Sequence, residues 1–126
     1  QGTSSGTWYQ VADQGAREGN YLESSATALF IYTLAKAINK GYIGNEYIEP
    51  TQKAFDGMVK TFTRLEEDGS YTITNCCAVA GLGGDSKRYR DGSFEYYISE
   101  PIIENDPKSV GSFILAAIEY EKMTKK

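Results

Sequence analysis

Apolar residues recur at helical spacing along three stretches of the chain, and the first is the most regular. Between Asn20 and Gly41, Leu22, Ala26, Leu29, Phe30, Thr33, Leu34, Ala37 and Ile38 fall close to the three-and-four rhythm of one helix face. Asn20 offers a capping oxygen and Glu23, three residues on, can reach back, which is the spacing of a capping box. Lys36 and Lys40 lie near the far end, where the helix dipole favours cations, and Gly41 suits the left-handed closing conformation. Ser24, Ser25, Ala26, Thr27 and Ala28 make the first turns unusually small. Side chains this short let another helix or a ligand come close to the backbone. The pattern predicts a buried helix packed on both sides.

A second stretch, about 45–65, carries Ile48, Phe55, Met58, Val59, Phe62 and Leu65 on one stripe and mostly charged residues elsewhere. This is the signature of a helix with one face in water. Pro50 is best tolerated in a first turn, so the helix proper is expected to begin there. The pair reads as an αα-hairpin, an inner helix followed by an outer one. The third stretch is capped by Asn105 or Asp106, has Pro107 in its first turn and runs to about Met123. Val110, Phe113, Ile114, Ala117, Ile118 and Met123 form its expected apolar face, with small contacts at Gly111, Ser112, Ala116 and Ala117.

The segments between are less regular. Residues 1–19 are Gly- and Ser-rich and then carry TWYQVADQG, read as an ordered loop pinned by Trp8, Tyr9 and Val11. Asp68-Gly69 signals a turn, and SYTITN after it alternates like a short strand. Residues 76–101 read as long irregular loops, with FEYYIS at 94–99 as a second short strand. A loop of this length inside a compact domain is usually functional or anchored to something large. The expected architecture is all-α, with three helices, long loops and a short β-hairpin. Three helices leave a broad apolar surface uncovered, which implies a missing partner.

Bulk properties narrow the function classes. The 126 residues suit one domain with a real core, at 40% hydrophobic and 24% charged. A net charge of −4 argues against non-specific binding to a nucleic-acid backbone. No apolar run approaches the roughly 20 residues of a membrane span. The chain has no signal-peptide pattern and begins with Gln, so it is read as a fragment or a processed product. Cys76 and Cys77 are adjacent and give no disulfide framework. His is absent, which removes the commonest metal ligand and the commonest general base at neutral pH. Ten tyrosines, each with a flat apolar body and a polar tip, suit a surface that holds polar ligands or the edges of a core.

Motifs add little by themselves. GLGG at 81–84 lacks the spacing and the strand–turn–helix setting of a phosphate loop and reads as a structural turn. Lys87, Arg88 and Arg90 form a basic group in an acidic chain, able to pair with a sugar carboxylate or with local acids. Asp13, Glu23, Asp91, Glu95, Glu100, Glu104 and Asp106 lie outside the obvious solvent face. Paired carboxylates could act on a glycosidic bond, yet Glu23 and Asp106 are explained as caps and Asp91 as a turn former before Gly92.

Longer stretches change this picture. GTWYQV at 6–11, GNYLESSATALFIYTLAKAINKGYI at 19–43, AVAGLGG at 78–84 and RDGSFEYYISEPIIENDPKSVGSFILAAIE at 90–119 occur in one order. Together they resemble the C-terminal part of the unsaturated rhamnogalacturonyl hydrolases, glycoside hydrolase family 105, over nearly the whole chain. The resemblance implies a slice of an (α/α)6 barrel, a double ring of helices with the substrate cleft in the loops at one end. It implies an enzyme that removes unsaturated galacturonic acid from rhamnogalacturonan, a pectin component. An Asp protonates the sugar's vinyl ether double bond and activates water, and the hemiketal then collapses; no metal or organic cofactor is needed. In that family the catalytic Asp precedes everything present in this chain, so no catalytic residue is assigned here.

By the same resemblance Trp8 would stack on a sugar face and Gln10 would hydrogen-bond a hydroxyl. Arg90, Tyr96 and Tyr97 would line the same cleft. The implied partners are an unsaturated pectic oligosaccharide and the remainder of the barrel or a second chain, with no nucleic acid and no membrane. The family leaves the compartment open between cytoplasm and periplasm or secretion. The alternative is a non-catalytic helical carbohydrate-binding or interaction module that completes its core with another chain.

Overall fold

The computed structural model describes residues 4–85 and 87–125; residues 1–3 of the expected N-terminal loop lie outside them. The first long helix, α1, spans Ser24–Lys40. Its cap is Glu23, not Asn20: Glu23 Oε2 accepts from the Ala26 N–H at 2.7 Å. Asn20 is spent on the loop before it, donating to the Val11 and Gln14 carbonyls at 2.9 and 2.8 Å and accepting from the Val11 N–H. Gly41 closes the helix in the left-handed region at φ 69°, as expected.

A 3-10 turn, Asn45–Tyr47, leads into α2, Ile48–Phe62, so Pro50 sits at the third helical position rather than the first. Helix α2 runs back along α1 and buries Thr51, Ala54, Gly57, Met58 and Phe62, while Val59 and Leu65 stand exposed. Gly57 is required here because the N-terminal segment crosses the helix; a Cβ would fall 1.7 Å from the Ser5 carbonyl oxygen. The helix stops three residues earlier than its pattern suggests. Thr63–Leu65 form β1, paired antiparallel with β2, Tyr71–Ile73, around the Asp68-Gly69 turn.

Two further antiparallel ladders organise the long loop. β3, Cys76–Cys77, pairs with β6, Ile102–Ile103, and β4, Gly83–Asp85, pairs with β5, Arg88–Arg90. FEYYIS, expected as a strand, is instead the short helix α3, Phe94–Ser99. The Ser93 side chain caps it by accepting from the Tyr96 N–H at 3.1 Å, and Asp91 in turn accepts from the Ser93 N–H. A capping serine in an extended conformation outweighs the strand preference of Tyr-Tyr-Ile. The last helix, α4, spans Pro107–Thr124 with Asp106 as its cap and Pro107 in its first turn.

The core lies where three helices meet. Ala28, Ile31, Ala54, Met58, Phe62 and Ala116 are fully buried, flanked by Trp8, Leu22, Tyr32, Phe55 and Phe113. Helices α1 and α4 run parallel: Ser24 Oγ lies 2.8 Å from Ser109 Oγ near their starts, and Asn39 Nδ2 donates to the Glu119 carbonyl farther along. Small residues fill this seam, which corrects the expected faces. Buried positions are Ser24, Thr27, Ala28, Ile31 and Ala35 on α1, and Ser109, Ser112, Ala116 and Met123 on α4. Leu29 and Phe30, expected inside, are 49% and 45% exposed, and Ile114 and Ile118 are 54% and 45% exposed. Helix α1 packs against both α4 and α2, and the face bearing Leu29 and Phe30 is about half exposed. The chain is all-α in character, a layer of helices with short ladders at its loop-bearing end.

Candidate functional site

The N-terminal ends of α1 and α4, β3 and α3 gather at one end of the helix layer. The link between them is Glu23, which is 1% exposed. Besides capping α1, its Oε1 accepts from the Cys77 N–H at 3.0 Å, and Ser25 Oγ donates to both carboxylate oxygens. A buried carboxylate persists only when its lone pairs are met in this way. Glu23 thereby ties the start of α1 to β3 and the long loop.

Residues 8–10 run over this junction. The Trp8 N–H donates to Thr27 Oγ1 at 3.0 Å, and its carbonyl accepts from the Glu23 N–H at 2.9 Å. The Trp8 ring is partly buried and lies 5.0 Å from the Phe30 ring, tilted. Gln10 points the other way: its Nε2 donates to Cys77 Sγ at 3.2 Å and approaches the Tyr97 carbonyl at 3.5 Å. The Cys77 thiol donates onward to the Val79 carbonyl, so its sulfur is left to accept from Gln10. Both cysteines are free and buried, and burial pushes the Cys76 thiol up to about 11. Tyr21 lies behind them; burial first, then Cys77 and Glu23, hold its hydroxyl above the ordinary range and so neutral.

The expected residues of α3 and the preceding hairpin adjoin Gln10. The Tyr96 and Tyr97 rings are 4.9 Å apart, and the Tyr96 hydroxyl donates to the Gly81 carbonyl at 2.6 Å. That hydroxyl's affinity for its proton is raised by burial and by Glu100 and lowered by Arg90, which places all three groups in one electrostatic neighbourhood. Glu100 is 3% exposed and carries two ion pairs, to Arg88 at 2.6 Å and to Arg90 Nε at 3.2 Å. Gln10, Tyr97 and Tyr96 thus adjoin one another, with Arg90 held nearby on Glu100. Lys87 stays outside, its backbone N–H held by Asp85. GLGG supplies β4, with Gly83 and Gly84 at positive φ, and shows no phosphate-loop setting.

The sequence offers Glu23 and Glu100 only among its candidate carboxylates, Glu23 also as a cap, and gives Cys77 no role; their partners appear only in the fold. The one available signal was an acidic residue three beyond Asn20. Four further candidate acids are engaged elsewhere. Asp91 is held below the usual carboxylate range by the Ser93 N–H, Glu104 by Arg64, and Asp106 by Lys108. Glu95 pairs with Arg17, whose guanidinium also sits 3.9 Å over the Phe94 ring. Both buried carboxylates, Glu23 and Glu100, are held by protein donors on each oxygen. Among the described residues no three His, Cys, Asp or Glu gather as metal ligands. No described helix is long and apolar enough to cross a membrane. A groove of about 650 Å³ lined by Lys36, Asn39, Lys40, Glu119, Lys122 and Lys125 lies at the opposite, C-terminal ends of α1 and α4.

Known proteins resemble this chain over nearly its full extent. The family model described as Glycosyl Hydrolase Family 88 matches residues 1–124. Protein Atu3128 of Agrobacterium fabrum and the 24.9 kDa protein in picA locus of Rhizobium radiobacter are each 37% identical over 121 residues. These alignments cover 93% of this chain and 52% of each relative, so the chain spans about half the length of the curated relatives it matches. Among solved structures, the C. acetobutylicum ATCC 824 glycoside hydrolase from family 105 is 46% identical with a TM-score of 0.90. That match covers 94% of this chain and 32% of the other. A Klebsiella pneumoniae protein described as a possible member of the GH105 family is 28% identical with a TM-score of 0.71, over 97% of this chain and 27% of that one.

Proposed function

The chain belongs to Glycosyl Hydrolase Family 88, and from that premise we propose that it forms the C-terminal wall of a pectin-degrading enzyme. The substrate is an unsaturated rhamnogalacturonan fragment, and the reaction removes its unsaturated galacturonic acid by hydrating the vinyl ether double bond. The observation that carries this reading is the likeness to the C. acetobutylicum family 105 hydrolase, which extends over nearly all of this chain and only a third of that one. The fold is accordingly a slice of the (α/α)6 barrel, and the rest of the barrel supplies the acid. Protonation of the double bond, attack by water and collapse of the hemiketal take place against a carboxylate outside residues 1–126.

This chain's part is to bind and orient. Trp8 offers a face for the sugar ring, Gln10 a hydroxyl partner, Tyr96 and Tyr97 a rigid aromatic wall, and Arg90 a cation for an acidic sugar. Such positioning contributes to rate by holding the reacting carbon in place rather than by touching it. The test is loss of the ultraviolet absorbance of the unsaturated uronate. Native-length protein is expected to consume unsaturated rhamnogalacturonan disaccharide and the isolated chain to leave it intact; robust turnover by the isolated chain overturns the assignment.

The exposed Leu29, Phe30, Ile114, Leu115 and Ile118 favour a second reading, a helical module that completes its core with another chain. Light scattering decides it. A strict monomer, with no ligand and no partner, counts against the module.

A further inference from the structure

We propose that Arg90 recognises a carboxylate of the bound sugar, and that Glu100 is the buried positioning residue that turns the Arg90 guanidinium outward. The inference rests on the cleft reading above and deepens it by naming the group on the sugar that is read. A carboxylate as sheltered as Glu100 must be paired, and the chain meets it with two arginines rather than one. Arg88 and Arg90 are two apart on β5 and so project to the same face. Two cations on one anion leave a local charge of plus one in a chain whose net charge is −4.

The two arginines are not equivalent. Arg88 is committed through a terminal nitrogen, Nη2, at 2.6 Å, and its side chain is 58% exposed. Arg90 reaches Glu100 through Nε alone, at 3.2 Å, and its side chain is 27% exposed. Guanidinium donors lie in a fixed planar fork. With Nε on Glu100, neither Nη1 nor Nη2 has a hydrogen bond among the described residues. Two parallel N–H groups on one end are the complement of a second carboxylate. Partial shelter makes that contact stronger than it would be in open water. The neighbouring wall is fixed as well, since the Tyr96 hydroxyl is tied to the Gly81 carbonyl. A uronic acid laid against Tyr96 and Tyr97 would present its carboxylate to this end of Arg90.

The experiment compares native-length protein with unsaturated rhamnogalacturonan disaccharide as the free acid and as its methyl ester. Wild type is expected to bind the acid more tightly than the ester. Arg90→Ala should weaken the acid roughly ten- to hundredfold and leave the ester nearly unchanged, the loss of one charge-assisted pair. Arg90→Lys, which keeps the charge and loses the fork, should fall between them. Glu100→Gln should raise KM for the acid with little change in kcat, and Arg88→Ala should leave the acid-to-ester ratio at its wild-type value. Where Glu100→Gln does not fold, the Arg90 and Arg88 variants carry the test. An unchanged ratio in Arg90→Ala, or an equal loss in Arg88→Ala, overturns the proposal while leaving the cleft reading intact. Wild type that binds neither form overturns both.

Discussion

On the side where α1 meets α4 most buried residues are short, Ser24, Thr27, Ala28, Ala35, Ser109, Ser112 and Ala116, with Ile31 and Met123 beside them. On the side turned away, Leu29, Phe30, Ile114, Leu115 and Ile118 stand in the open. Along this seam the usual order is largely reversed: small and hydroxylated residues predominate inside, and several large apolar ones lie outside. Close approach of two parallel helices requires the first, because only short side chains leave room, and the Ser24–Ser109 hydrogen bond satisfies the hydroxyls that burial would otherwise strand. The second makes sense when those faces meet further helices, since each large side chain would gain about 1.5–3 kcal/mol on full burial. One side is finished within the chain. The other, on the proposed reading, meets the rest of the barrel.

The comparison can be broken most forcefully at the finished side. Replacing Glu23 by Ala removes the α1 cap and leaves the Cys77 N–H unmet, and should cost about 2–4 kcal/mol in denaturant unfolding. Ala116→Leu, which forces a larger side chain into the meeting point of three helices, should cost about 1–3 kcal/mol by the same measurement.

The open side sharpens the contrast. Leu115→Ala should shift the isolated chain by no more than about 0.5 kcal/mol. In native-length protein the same change should cost about 2–4 kcal/mol, as a core leucine does. Equal small effects in both would mean that nothing covers this face.

The smallest effect is electrostatic. Lys108 beside Asp106 holds its carboxyl below the usual range in the folded chain. A depressed folded pKa contributes stability above the unfolded value, and that contribution is lost as pH falls through the folded one. Melts followed by circular dichroism should therefore show the start of α4 loosening below pH about 4. In Asp106→Asn, which keeps a capping oxygen, that pH dependence should flatten.

Long helices were legible because many residues agree on them. Pro107 after Asp106 marks the start of α4, and Gly41 marks the end of α1. Which face each helix buries was not legible, because hydrophobicity ranks residues by transfer out of water while this seam selects by size. Helix α3 was misread since Tyr96, Tyr97 and Ile98 favour strands, and the decisive residue, Ser93, lies just outside the run. At the candidate site, the family resemblance pointed to Trp8, Gln10, Arg90, Tyr96 and Tyr97, and the fold brings them to one end. The partners of Glu23 and Glu100 were not legible because a pair such as Glu23 with Cys77 spans 54 positions, which no local spacing reveals.

The Ser24–Ser109 contact joins residues 85 positions apart. Bringing such distant segments together costs about 4 kcal/mol of closure entropy before any contact repays it. Helices α1 and α2 are neighbours in sequence and can zip together early. Helix α4 has the longer loop to close, so its docking is expected to be the slower step. Until then α1 offers apolar side chains on two flanks to any passing neighbour, which makes the interval before docking the moment of greatest risk of aggregation.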